Sequence, residues 1–228
     1  TNVFAEEDID LFPVEENFAA AISASSPEYK AQRVKTLQKM ADGSSKIVVT
    51  SVSGIRRMLC PKDFWLKSTI KFKLGEEIIP EKLKQELCTM GYRAVKMVER
   101  PGDFAVRGSL FDIYALNLEN PVRIDLFDTE IDSLRLFDST DQRSLKKIDE
   151  VEILPATDFI ASDSMLEKGA AVLQKNVKDY LAKLDDEEDK KLLADNLRTV
   201  ADDWHRGILE PEHVVFSEEL YGKSKTSL

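Results

Sequence analysis

The strand and turn pattern is clearest in residues Pro101–Arg143, PGDFAVRGSLFDIYALNLENPVRIDLFDTEIDSLRLFDSTDQR, in the middle of this chain. Short runs rich in apolar and β-branched residues follow one another here, and residues that favour turns separate them. The pattern predicts three strands, over residues 104–116, 122–127 and 131–137, with turns at Pro101-Gly102 and at 117–121. Successive strands joined by such short connections indicate an antiparallel sheet.

The second of these strands is predicted to bury one of its faces. Side chains alternate between the two faces of a strand, so the aliphatic residues share one face and the polar and aromatic residues share the other. The aliphatic set is Val122, Ile124 and Leu126, and the opposite set is Arg123, Asp125 and Phe127. A large aromatic beside an arginine, opposite an aliphatic row, is typical of an interaction hot spot.

Arg107 is predicted to join this patch from the preceding strand, where Gly108 follows it. The pattern alone leaves a structural alternative open. In that alternative Phe127 packs under a helix, and the arginines pair with nearby carboxylates. We therefore carry Arg107, Arg123 and Phe127 forward as candidate partner-binding residues and expect them to share one exposed face of the sheet.

The sequence on both sides of this stretch completes a domain that combines strands with one helix. Residues 69–74, 94–99 and 147–154 read as strands, and residues 80–90 read as a helix with Pro80 at its start and Gly91 at its end. One helix on a meandering antiparallel sheet predicts an α+β domain over residues 69–154.

The first part of the chain alternates between strand and helix. An apolar run at 9–14 precedes a helix that Ser25 or Ser26 is expected to cap and that Gly43 is expected to end. A β-branched run at 46–52 follows, typical of a strand buried on both faces, and then a short helix at 54–59. This order predicts part of a parallel α/β domain over residues 1–68, with its opening strands missing.

The last part, residues 155–228, is predicted to be helical. Ser164 and Glu167 have the spacing of a capping box at the start of a first helix. An acidic run at 185–189 separates it from a second helix, and we interpret this run as a solvated junction. The predicted fold class is therefore α/β plus α+β, followed by a helical segment.

Composition and charge narrow the range of functions. The chain has 228 residues, 43% of them hydrophobic, and a net charge of −10. None of its three parts is basic, which argues against nucleic-acid binding driven by counterion release. No apolar run approaches the roughly 20 residues that a membrane span needs. The only cysteines, Cys60 and Cys88, are far apart and favour a reducing cytoplasm over a disulfide or zinc scaffold.

No motif predicts catalysis. Gly222-Lys223-Ser224 resembles the end of a phosphate-binding loop, but Ser217 occupies the position where such a loop needs its first glycine. His205 and His213 lack the paired ligands of a metal site. We therefore expect no enzyme activity, no cofactor and no metal in this chain.

One catalytic alternative is kept open. Four closely spaced carboxylates are compatible with magnesium binding in a nuclease or phosphohydrolase: Asp125, Asp128, Glu130 and Asp132. Alternation along the strands predicts that they are divided between two faces, so solvation at the sheet edge is the favoured interpretation.

The central stretch also closely resembles a known family. The motifs that carry the resemblance are PGDFAVRG, LFDIY, NPVRIDLFDTEIDSLRLFD and QRSL. They are similar to the bacterial transcription-repair coupling factors (Mfd), in the region that resembles the excision-repair protein UvrB. The similarity extends through LFPVEE, SSPEYKAQRVKTL and IVVTSVSGI upstream and LPATDF downstream, and more loosely to the final FSEELYGKSKTSL.

The resemblance implies a division of labour between this chain and the rest of a longer protein. Members of the family displace stalled RNA polymerase with an ATP- and magnesium-dependent DNA translocase and then recruit UvrA. The translocase and the polymerase-binding module lie downstream, so polymerase and DNA contacts are expected outside this chain. The first domain is expected to be a degenerate nucleotide-binding fold, and the middle domain is expected to bind UvrA. The family's contact residues fall on Arg107, Arg123 and Phe127.

UvrB itself is the alternative within the same group of proteins. It resembles the middle of this chain, but its first domain carries an aromatic-rich hairpin that clamps DNA, and no such hairpin is found here. The sequence DTEIDSLRLFD also favours the coupling factors. We therefore expect a cytoplasmic UvrA-recruiting module, with a DNA-clamping protein as the second possibility.

Overall fold

The computed structural model describes residues 5, 8–14, 27–55 and 58–222. The first part contains β1 (Ile9–Phe12), α1 (Pro27–Asp42), β2 (Ile47–Thr50), α2 (Val52–Ile55) and α3 (Lys62–Lys67). The middle part contains β3 (Ile70–Lys73), α4 (Pro80–Thr89), β4 (Arg93–Ala94), β5 (Asp103–Arg107), β6 (Leu110–Ile113), β7 (Val122–Phe127), β8 (Glu130–Phe137), β9 (Ser144–Lys147) and β10 (Glu150–Ile153). The last part contains α5 (Asp163–Leu181), α6 (Glu187–His205), a 3-10 helix (Pro211–Phe216) and α7 (Ser217–Tyr221).

The first part is a small parallel sheet with a helix on one side. Strands β1 and β2 pair in parallel, as the alternation of strand and helix predicted. Phe12 on β1 and Val34 on α1 are fully buried, so α1 covers one face of this sheet. The other face is apolar but open, since Leu11 and Val49 are 45% and 48% exposed. The prediction that the second strand is buried on both faces is therefore wrong for the described residues.

Helix boundaries in the first part agree in outline with the prediction. Helix α1 ends just before Gly43, which adopts a positive φ of 81° that favours glycine. The predicted cap at Ser25 or Ser26 lies outside the described residues. Helix α2 begins earlier than predicted, and α3, which begins after Pro61, was not predicted at all.

The middle part is dominated by one six-stranded sheet. Its strand order is β4-β5-β6-β7-β8-β9, and every neighbouring pair is antiparallel except β4 and β5. The inner face is apolar and almost completely buried: Phe104, Phe111, Ile113, Val122, Ile124 and Leu134. Leu83 and Leu87 of α4 belong to the same buried cluster. This arrangement of one helix and a meandering sheet confirms the predicted fold class.

Three predicted strands differ from the observed ones. The strand predicted at 104–116 is a hairpin, because the chain reverses at Gly108, where φ is 63°. The strand predicted at 147–154 is divided between β9 and β10, and β10 leaves the main sheet to pair with β3. The strand predicted at 94–99 is reduced to the two residues of β4. In each case a turn interrupts an apolar run that alternation alone could not divide.

The last part is a helical hairpin closed by a short C-terminal helix. Ser162, rather than Ser164, caps α5, and its hydroxyl accepts a hydrogen bond from the Met165 amide at 3.4 Å. The predicted capping box at Ser164 and Glu167 is therefore wrong, because the residue that caps the helix lies two positions earlier. The acidic run is exposed, and within it Asp186 caps α6 by accepting hydrogen bonds from two backbone amides, which confirms the solvated junction.

Packing between the two long helices depends on a small residue. Gly169 of α5 lies so close to the indole of Trp204 on α6 that an added Cβ would be 2.8 Å from that ring. Trp204 is almost fully buried and donates a hydrogen bond to His213 Nδ1 at 3.0 Å. His213 therefore serves in the packing of the helical segment. No helix in the described part of the chain has the length and apolar character of a membrane span.

Candidate partner-binding face

The candidate site is the side of the six-stranded sheet that faces away from the core, here called the outer face. Strand register places Asp112 of β6 directly opposite Arg123 of β7, and Arg123 directly opposite Arg135 of β8. Lys147 of β9 lies opposite Arg135 in turn. Arg107 projects from β5 on the same side, two positions from the residue that pairs with Asp112. Alternation along the strands puts all these residues on the outer face because their neighbours fill the core.

Asp112 is the centre of the outer face. It is only 1% exposed, and its carboxylate accepts hydrogen bonds from two arginines. Arg107 Nη2 lies 2.6 Å from Oδ2, while Arg123 donates from Nε at 2.6 Å and from Nη2 at 2.8 Å. Because a buried carboxylate needs charged donors to offset its desolvation, this residue fixes where both arginine side chains lie.

Sequence reasoning missed Asp112. It lies within the quoted motif LFDIY, yet it received no role there. The available signal was a single acidic residue in the otherwise apolar strand β6. An acidic residue in such a strand needs a basic partner on an adjacent strand, and Arg123 occupies the directly opposed position.

Arg123 is built into the sheet rather than displayed on it. Its side chain is 12% exposed, and its guanidinium lies 4.3 Å from the centre of the Phe137 ring. A further hydrogen bond from Nη2 reaches Gln142 Oε1 at 3.1 Å. The hydrogen bonds to Asp112 raise the pKa of Arg123, and burial opposes this shift. The expectation that Arg123 is an exposed side chain is therefore wrong, because the buried Asp112 draws it inward.

Arg107 and Phe127 are exposed, as predicted. Arg107 occupies the end of β5, with its side chain 44% exposed and one hydrogen bond to Asp112. Phe127 occupies the end of β7 and is 77% exposed, just before a turn in which Asp128 adopts a φ of 60°. This exposure excludes the part of the structural alternative in which Phe127 packs under a helix. The other part, in which the arginines pair with nearby carboxylates, is confirmed by their hydrogen bonds to Asp112. The outer face thus offers a cation and an aromatic ring at its surface.

A second group of polar side chains lies beside the first. Arg135 Nη2 is 3.9 Å from Asp125 Oδ2, an ionic contact too long for a hydrogen bond. Ser109 donates a hydrogen bond to the other oxygen of Asp125 at 3.2 Å. Arg135 Nε is buried and has no hydrogen-bond partner in the described part of the chain.

The outer face is nearly balanced in charge although the chain is acidic. It carries five cations, Arg93, Arg107, Arg123, Arg135 and Lys147, and four anions, Asp103, Asp112, Asp125 and Glu130, while the whole chain carries a net charge of −10. Arginines that keep unused donors on such a face favour contacts with carboxylates on a partner surface.

The described residues give no support to a metal site. Within the ranges that the structure covers, no group of three or more His, Cys, Asp or Glu side chains could hold a metal ion. The four carboxylates at 125–132 therefore do not form a metal site. Lys223 and Ser224 of the incomplete phosphate-loop motif lie outside the described residues.

A groove of about 990 Å³ between α4 and residues 157–166 contains several lysines. Three of them are already paired: Lys71 with Glu152, Lys82 with Glu86 and Lys84 with Glu81. Most of the positive charge in this groove is therefore compensated within the chain.

Comparisons with a protein family and with individual proteins indicate the same relationship. Residues 70–159 match the family described as the UvrB interaction domain. The chain is 35% identical over all 228 residues to a transcription-repair-coupling factor of Bacillus subtilis, of which it covers 19%. It is also 36% identical over 162 residues, 71% of the chain, to the factor of Staphylococcus epidermidis, of which it covers 14%. The chain thus spans less than a fifth of the length of these relatives.

Proposed function

This chain corresponds throughout its length to one part of the transcription-repair coupling factors and contains a UvrB interaction domain, and on this premise we propose that it recruits UvrA in transcription-coupled nucleotide excision repair. The outer face is the proposed docking surface. Its contact residues are Arg107 and Phe127 at the surface, with Arg123 held beneath them by Asp112.

One observation carries the proposal: the matched domain displays an arginine and an aromatic ring at the surface of one sheet face. Phe127 is 77% exposed, so a partner could bury most of its ring. Aromatic and arginine side chains contribute most to the affinity of protein interfaces, and here they share one strand face. Carboxylates on UvrA would complement the charge of the arginine.

The rest of the proposed activity belongs to the longer protein. The relatives' names indicate a factor that couples transcription to repair. We assign the ATP- and magnesium-dependent translocation on DNA, and the displacement of RNA polymerase, to regions outside these 228 residues. This chain would act as a binding module without enzyme activity or a cofactor of its own. Because chromosomal repair in bacteria takes place in the cytoplasm, the proposal implies a cytoplasmic protein.

The direct test is calorimetric titration of the purified 228-residue chain with UvrA from the same organism. We expect saturable binding with one set of sites. A double variant, Arg107→Glu with Phe127→Ala, should fold normally and lose the interaction. Absence of binding by the unaltered chain, or undiminished binding by the folded double variant, would contradict the proposal.

A further inference from the structure

The arginines of the outer face differ in how many donors they have left for a partner. Arg123 places Nε and Nη2 on Asp112 and directs Nη2 to Gln142 as well, with its plane against Phe137. A partner could engage it only by breaking this network. Arg107 uses Nη2 alone for Asp112, so its remaining donors are available. Arg123 is therefore a positioning residue, and Arg107 is a docking residue.

Arg135 is the other arginine with donors to spare. Its side chain is 28% exposed, and its ionic partner Asp125 is 3.9 Å away. The other oxygen of Asp125 accepts a hydrogen bond from Ser109, so this carboxylate is shared between two contacts. Within the described residues, Nε of Arg135 is buried without a hydrogen-bond partner, which is an unfavourable state for a charged group.

We propose that Arg135 is a further docking residue of the outer face and that it binds a carboxylate on the partner. This inference rests on the proposed function, because it concerns the same surface and the same partner. The terminal nitrogens of an arginine can donate two hydrogen bonds to one carboxylate. In the described part of the chain those of Arg135 have only the long contact with Asp125, whereas the buried Nε lies beyond a partner's reach.

The position of Arg135 defines the partner's chemistry. Arg107 lies on β5 and Arg135 on β8, three strand spacings apart, which is about 14 Å across the sheet. The partner surface should therefore carry at least two acidic groups at about that separation, with an apolar site between or beside them for Phe127. Lys147, which lies opposite Arg135 on β9, adds a cation further in the same direction.

The experiment compares three substitutions of one residue in the 228-residue chain. Arg135→Gln removes the charge, Arg135→Glu reverses it, and Arg135→Lys keeps the charge but not the planar pair of donors. Each variant is measured by thermal unfolding and by calorimetric titration with UvrA at two salt concentrations. Arg198→Glu, an exposed charge reversal on α6, is the matched control, and Arg107→Glu reports on the proposed function itself.

We expect Arg135→Gln to weaken binding about tenfold or more, Arg135→Glu to weaken it further, and Arg135→Lys to give an intermediate loss. The dependence of affinity on salt should fall in Arg135→Gln, and Arg198→Glu should bind within about twofold of the unaltered chain.

The outcomes separate this inference from the proposed function. If folded Arg135 variants bind normally while Arg107→Glu does not, the inference is wrong and the proposed function stands. If the unaltered chain does not bind UvrA, both are overturned. Unfolding of all three variants would assign Arg135 to the fold and would also overturn the inference.

Discussion

Each side chain of the outer face contributes either to folding or to binding, and burial decides which. The side chains of Asp112 and Arg123 are 1% and 12% exposed and form a buried ion pair. If one of them is removed, water cannot reach the other to replace the lost hydrogen bonds. Arg107 at 44% and Phe127 at 77% have most of their surface available to a partner. This difference in exposure predicts separate effects of substitutions on binding and on stability.

The first concerns binding. Arg107→Glu and Phe127→Ala should each weaken association with UvrA by about 30-fold or more, because anchor residues of an interface typically contribute about 2 kcal/mol or more. Calorimetric titration of each single variant measures this loss. The temperature of thermal unfolding should be nearly unchanged in Phe127→Ala. It should be modestly lowered in Arg107→Glu, because the new carboxylate lies beside Asp112, which Arg123 still holds. Variants that fold and bind like the unaltered chain would show that the docking surface lies elsewhere.

The second concerns stability, with two arginines on one carboxylate as a matched pair. Arg123→Ala should lower the free energy of unfolding by about 3 kcal/mol, because Asp112 remains buried with only Arg107 as a charged partner and the contact with Phe137 is lost. Arg107→Ala should lower it by less than about 1 kcal/mol, since Arg123 still holds the carboxylate. Denaturant unfolding of the two variants gives the comparison. Equal losses would mean that the pairing with Asp112 is not what stabilises the sheet.

Among the elements, the helical segment depends on one buried histidine. His213 is 5% exposed, and its Nδ1 accepts hydrogen bonds from Trp204 Nε1 and from the Glu210 amide. Burial lowers the pKa of His213, although the carboxylates of Asp203, Glu210 and Glu212 act in the opposite direction. Protonation would place a hydrogen on Nδ1, where two donors already point.

This geometry predicts a loss of stability in mild acid. Because the pKa of His213 is lower in the folded chain than in the unfolded chain, the unfolded chain binds more protons, and stability falls as pH drops below about 6.5. One histidine can contribute at most about 1.4 kcal/mol per pH unit. Denaturant unfolding between pH 7 and pH 5 should show a smaller decline in His213→Gln, whose amide oxygen can still accept from Trp204. An identical decline in both proteins would assign the acid sensitivity to other groups.

The sequence predicts elements best where apolar periodicity is long and uninterrupted. Helix α4 and strands β7 and β8 were predicted almost to the residue, because Pro80, Gly91 and the turn at 117–121 mark their ends. Turns inside apolar runs were missed, as at Gly108 and at the change of sheet between β9 and β10. A run of apolar residues carries no information on which neighbouring strand it will pair with.

The candidate site, like the fold, could be predicted from the sequence only in part. Alternation placed Arg107, Arg123 and Phe127 on one face, and the register confirms that both arginines reach the same carboxylate. The burial of Arg123 and the part played by Asp112 depend on cross-strand pairing, which a single sequence does not specify. The relation of these residues to UvrA stays a prediction.

For the whole molecule, the distribution of charge sets what it can bind outside the docking face. A net charge of −10 repels the phosphate backbone, and several cations of the outer face are already paired with carboxylates. We expect weak association with duplex or single-stranded DNA that disappears at physiological salt, measured by fluorescence anisotropy. A submicromolar dissociation constant that is insensitive to salt would instead support a DNA-clamping protein of the UvrB type.

The ion pair between Arg33 and Asp158 joins distant parts of the molecule. Arg33 Nε on α1 lies 3.1 Å from Asp158 Oδ1, which follows β10, and the two side chains are only 6% and 2% exposed. Arg33 also donates a hydrogen bond to the Pro13 carbonyl oxygen at 3.3 Å. One buried guanidinium thus links β1, α1 and the segment that leads into the helices.

Removing one member of this pair should cost far more than removing both. Arg33→Met should lower the free energy of unfolding by about 3–5 kcal/mol, because the buried Asp158 carboxylate loses its ion pair with the Arg33 guanidinium. Adding Asp158→Leu should recover much of that loss, since two apolar side chains avoid the desolvation of two charges. Lys46→Met, which breaks the more exposed pair with Asp8, is the control and should cost less than about 1 kcal/mol. Denaturant unfolding of the single and double variants completes the cycle, and a loss in Arg33→Met no greater than in Lys46→Met would show that this pair does not hold the parts of the molecule together.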